Sequence, residues 1–154
     1  MNVSDRAEKL RRLVQFDVES AGAYEAAARQ AGSWVVRSAF QQFCRDHLEH
    51  LQELNLLLVA LGGQAVPYAR ASGDLLLGAL LEALAAGGDE GILDAMAANE
   101  QLTEELYRHA LNHEWRPDER AVLERNLANE RRQLAWIEEA LRSRVWEQEV
   151  GLSQ

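Results

Sequence analysis

FCRDHLEHLQELNLLLVALGG, residues 43–63, sets His47 and His50 three positions apart in a row that also holds Phe40, Phe43, Leu54 and Leu61. Side chains at such spacing share one face of a helix. The stretch therefore predicts a helix whose largely apolar stripe carries two imidazoles. Buried imidazoles need a partner, whether a metal, a carboxylate or another hydrogen-bonding group. What the rest of the chain sends to meet them decides both fold and function.

Working outward, the helix with the histidines is expected from about Trp34 to Leu61, stopped by Gly62-Gly63. Before it, an apolar period of 3.6 residues predicts a helix over Ser4–Ala31, with Leu10, Leu13 or Val14, Asp17, Ala21, Tyr24 and Ala28 turned inward. Gly32-Ser33 ends that helix and caps the next. After Gly63 comes a long connection containing Pro67, within which Asp74–Ala86 reads as a short, strongly apolar helix that covers part of the bundle or joins an oligomer contact. A third helix follows from near Asp89 to Leu111, facing inward with Leu93, Met96 or Ala97, Glu100, Thr103, Tyr107 and Leu111. The fourth starts at Pro117, a favourable first-turn residue, with Asp118 and Glu119 beside its amino end. It runs to about Trp146 along Leu123, Leu127, Glu130, Leu134, Ile137, Leu141 and Val145. Short links within each pair and a long crossover between them give an all-α, up-down-down-up four-helix bundle.

The chain's 154 residues and 47% hydrophobic content fit one domain spanning 1–154. Two prolines and an abundance of Ala, Leu, Glu, Gln and Arg favour helix throughout. A net charge of -9 argues against nucleic acid, which needs a concentrated positive surface. The amino-terminal stretch lacks an apolar signal core and no run reaches membrane-spanning length, so a cytoplasmic location without membrane contact is expected. The single cysteine, Cys44, excludes an internal disulfide framework and reads as a small buried hydrophobe. Trp136 and Trp146, off the main stripe of the fourth helix, point to a homo-oligomer, a dimer first.

Asp17, His47, His50, Glu100 and Glu130 all fall near the middle of the expected bundle. Mixed carboxylates and imidazoles suit iron, manganese or zinc. Acids gathered without a cation would repel one another and some would protonate. The halves also echo each other: Asp17 and Tyr24 stand seven apart, as do Glu100 and Tyr107, while His47 and His50 stand three apart, as do Glu130 and Gln133. The alternative is a network in which these groups satisfy one another without metal. His109 and His113 are four apart near a helix end, where solvent accounts for them. No HExxH pattern surrounds His47, and no nucleophile has an obvious base and orienting acid.

Asp17 through Tyr24, His47-Leu48-Glu49-His50 with Leu61-Gly62-Gly63, Glu100 through Tyr107 and Glu130-Arg131-Arg132-Gln133 together resemble the ferritin and rubrerythrin superfamily, closest to bacterial ferritin-like domains of unassigned function (DUF2383-like). In that superfamily the first and third helices each supply a carboxylate, and the second and fourth each supply Glu-x-x-His to a di-metal centre. The resemblance implies Asp17 and Glu100 as terminal ligands, Glu130 as a bridging ligand and His50 as a nitrogen ligand. The chain departs where His47 replaces a bridging glutamate and Gln133 replaces a histidine. One metal, an asymmetric pair or a metal-free relic are the outcomes left open. With iron or manganese the resemblance implies dioxygen or peroxide chemistry on a substrate the sequence does not identify. The rival class is a noncatalytic, homodimeric or stress-associated bundle.

Overall fold

The computed structural model describes residues 1–68 and 75–148, with the side chains of 75–81, 83 and 84 outside the description. Helix α1 spans Val3–Gln30, α2 Trp34–Ala60, α3 Leu75–Ala110, α4 Pro117–Ser143 and the short α5 Val145–Gln148. The helix starts follow capping chemistry. The Asn2 side chain accepts from the Asp5 amide at 2.8 Å, and Ser33 Oγ accepts from the Val36 amide at 3.2 Å. Pro117 opens α4, where the Glu119 carboxylate accepts from the Arg116 amide at 2.9 Å.

Gly62 ends α2 with φ 86° and Gly88 interrupts α3 with φ 57°, conformations in which a Cβ would be strained. The expected short helix and third helix are thus one helical stretch broken at Gly87-Gly88. The crossover from Ala69 to Asp74 and the apolar side chains expected to cover the bundle or an oligomer contact lie outside the described residues. Arg144 takes a left-handed conformation, φ 49°, ending α4 before the expected Trp146.

Cross-helix contacts fix the topology. On α1 and α3, Tyr24 meets Glu100 and Asp17 meets Tyr107, so those helices are antiparallel. On α2 and α4, Phe40 meets Trp136, His47 meets Gln133 and Glu53 meets Arg125, so these are antiparallel too. With short links inside each pair, the order is up-down-down-up, as expected. Two apolar cores result, one around Tyr24, Phe40, Ile92 and Ile137 and the other around Leu10, Leu54, Leu123 and Leu127. Between them, at mid-helix, lies a polar layer.

The inward row of α1 is buried throughout as expected. On α4 the buried face is rotated toward polar positions: Asn126 and Gln133 are buried, while Leu134 and Leu141 are only partly so. Trp136 packs edge-on against Phe40 and Phe43, and Trp146 lies against the same core. The tryptophans that pointed to a dimer are therefore engaged within the chain. Cys44 is half-buried beside that core. No described helix is long and apolar enough to cross a membrane.

Candidate metal centre

The polar layer is built by one position from each of α1, α3 and α4 and two from α2. Asp17, His47, Glu100 and Glu130 are fully buried, and His50 is 5% exposed. His47 lies between two acids: its Nδ1 is 2.7 Å from Asp17 Oδ1, and its Nε2 is 3.0 Å from Glu100 Oε1 and 3.1 Å from Gln133 Oε1. His50 turns its Nδ1 toward Asp17 Oδ1 at 3.4 Å and Glu130 Oε1 at 3.8 Å. The tyrosines cross over between repeats. Tyr24 donates to Glu100 Oε1 and Tyr107 donates to Asp17 Oδ2, each at 2.6 Å. These short bonds to carboxylates are the charge-assisted kind.

Electrostatics follow from this packing. Burial alone would push the Asp17 carboxyl up, but hydrogen bonds and charge from His47 and His50 outweigh it and hold it below its usual range. Burial likewise opposes charge on His47, yet bonds to Asp17 and Glu100 raise it well above an ordinary histidine. The acids on either side thus favour the imidazolium, the form that can donate from both nitrogens. Glu130 goes the other way from Asp17: burial, then repulsion from Asp17 and Glu100, lifts it well above the carboxylate range despite the charge on His47. Burial, together with the neighbouring acids, also raises both tyrosines.

All five residues singled out in the sequence come together. Asp17, His47, His50 and Glu130 each offer a ligand atom within 4.8 Å of the others. Glu100 sits on the opposite nitrogen of His47 from Asp17. His109 and His113 face each other with ring centroids 5.7 Å apart. Among the described residues they gather no third ligand.

Sequence reasoning undervalued three residues. Gln133 accepts from His47 and donates to Asp46 Oδ2 at 3.0 Å and Asn129 Oδ1 at 3.1 Å. Asn126 donates to the Tyr107 hydroxyl at 3.3 Å. Asp46 precedes His47 on α2 and carried no periodic signal. The amides could have been found from their place on the Glu130 face: Asn126 is four residues before it and Gln133 three after.

Buried polar atoms normally find partners, and among the described residues three of the five side-chain exceptions fall in this layer, the other two being Asn99 Oδ1 and His113 Nε2. Glu130 Oε1 and Oε2 and Glu100 Oε2 are buried without a hydrogen-bond partner. When ionised, such side chains are acceptor-only and would accommodate a cation, and the carboxylate and imidazole groups suit a first-row transition metal. The residues fit one.

Residues 5–113 match the family described as "Domain of unknown function (DUF2383)". The matched stretch holds Asp17, His47, His50 and Glu100 and ends before α4, which carries Glu130. No curated protein matches the chain.

Proposed function

The chain belongs to the DUF2383 family, and from that premise we propose that it is a ferritin-like metal-binding bundle whose buried cluster holds one transition-metal ion, iron first. The observation that carries this reading is Glu130, buried beside Asp17 and His50 with no hydrogen bond to either carboxylate oxygen. A carboxyl in that position is costly unless a cation or a proton answers it.

Asp17, His47, His50 and Glu130 would hold the ion. Iron or manganese bound there would supply redox chemistry toward dioxygen or peroxide, whereas zinc would supply charge alone. The protein's own groups prepare the site. Tyr107 and Tyr24 fix the Asp17 and Glu100 carboxylates. Were His47 to hold the ion through one ring nitrogen, a hydrogen bond from the other to a carboxylate would orient the ring, as for ligating histidines generally. A cation bound there would compete with the protons that Glu130 and His47 hold more tightly here than free side chains do. Apolar cores on both sides exclude water from the layer.

The second reading, a metal-free interaction bundle, is favoured by His47, whose two nitrogens already satisfy Asp17 and Glu100. Metal content separates the two. Protein purified without chelator or metal-affinity steps is expected to carry about one iron, manganese or zinc per chain, or to take up ferrous iron anaerobically, and Glu130→Ala is expected to lose it. A wild-type chain that stays metal-free after anaerobic ferrous iron is offered leaves the interaction bundle as the reading.

A further inference from the structure

A cluster set between two apolar cores needs a way in, and the exposed edge of His50 marks a place for it. Four of the five cluster side chains are fully buried, whereas His50 is 5% exposed. Its surface forms part of a cleft of about 180 Å³ between α2 and α4. The α2 side of this cleft is acidic, with Asp46, Glu49 and Glu53; the α4 side presents Arg125 and Arg132. His50 thus spans the wall, with its Nδ1 on Asp17 inside and its edge in the cleft outside.

We infer that this cleft is the route by which a divalent cation reaches the cluster, with the Glu53–Arg125 ion pair as its gate. The inference rests on the metal-binding reading above. Arg125 and Glu53 are in direct contact, with side chains 60% and 37% exposed. Pairs so exposed are weakly held and open readily. While the pair is closed, the guanidinium neutralises Glu53 and repels a cation at the mouth. Once Arg125 swings into solvent, Glu53, Glu49 and Asp46 form a negative approach that ends on the imidazole of His50. From Asp46 the polar path also continues through Gln133 to His47, by contacts of 3.0 and 3.1 Å. The other described depressions lead elsewhere. One between α1 and α2, lined by Glu25 with Arg29, Arg37 and Arg45, carries more basic than acidic side chains, and neither it nor the one lined by Ser4, Glu8 and Leu58 includes a cluster residue.

Cobalt(II) mixed rapidly with the metal-free, full-length protein tests this, with its ligand-field absorption giving both uptake rate and final occupancy. Glu53→Arg is expected to slow uptake about tenfold at low salt, the scale of local electrostatic steering, and Arg125→Glu to accelerate it. Final occupancy should stay at the wild-type level in both. Glu8→Arg makes the same change in net charge on an exposed α1 pair with Arg12, and its rate should match wild type. Equal rates in Glu53→Arg and wild type, or equal slowing in Glu8→Arg, overturn the route while leaving the site intact. A wild-type protein that binds no cobalt overturns site and route together. Both substitutions fall on partly exposed residues outside the cluster, and circular dichroism confirms that the variants compared are folded.

Discussion

The α1–α2 pair and the α3–α4 pair bring matched spacings to the middle of the bundle, yet their central side chains meet opposite fates. His47 on α2 and Glu130 on α4 occupy equivalent places in the two halves. His47 has an acceptor on each ring nitrogen, whereas Glu130 has no hydrogen bond to either oxygen. The difference is one of sign. A histidine among acids gains a proton and serves two of them at once; an ionised glutamate among the same acids can only accept, and its neighbours are acceptors too. One half of the layer is therefore closed by its own chemistry, and the other is left for a proton or a cation. The tyrosines, by contrast, keep the repeat intact, each bonding the acid of the other half at 2.6 Å.

Substitutions in the metal-free protein break this comparison in graded steps. The largest effect is expected from His47→Leu, which leaves Asp17 and Glu100 buried without their shared cation. Removing one partner of a buried ionic network lowers stability by about 3–5 kcal/mol, read as a drop in the urea midpoint. Tyr24→Phe and Tyr107→Phe come next. Each removes one bond to a carboxylate and should lower stability by about 1.5–3 kcal/mol, and equal losses by denaturation would show that the repeat is energetic as well as geometric.

Dependence on pH is smaller per step, at most about 1.4 kcal/mol per pH unit for each group. Glu130 and His47 have raised values when folded, so the folded chain holds more protons than the unfolded one. The stability tied to Glu130 is full below 4.5, and that tied to His47 is full below 6.5; each is lost as pH rises through its folded value. Asp17, held low, acts in reverse, and its contribution is lost as pH falls below 3.8 toward its folded value. Denaturation midpoints of the metal-free chain should thus decline above pH 4.5, and Glu130→Gln should remove the earlier part of that decline. The smallest change is expected from Glu130→Met. Replacing an unpartnered buried acid by an apolar side chain of similar size should stabilise the metal-free protein by about 1 kcal/mol while abolishing cobalt uptake. A destabilisation of the size expected for His47→Leu would instead mean that Glu130 is served as well as His47.

The sequence by itself determined the four helices, their order and the five polar residues that meet. Their signals are local: a 3.6-residue apolar period, caps at Ser33 and Pro117, glycine stops at Gly62 and Gly88, and charged side chains inside otherwise apolar rows. It also displayed the sevenfold and threefold spacings that the tyrosines turn into crossed bonds. What it did not determine is who answers whom. That His47 bridges Asp17 and Glu100, that Gln133 joins it to Asp46, and that Glu130 is left without a hydrogen bond are facts about distances between helices far apart in the chain. Spacing along a helix fixes the face a side chain occupies, but the rotation and approach of the helices fix its partner. Only the packed bundle decides which acid gains a proton donor and which is left for a cation.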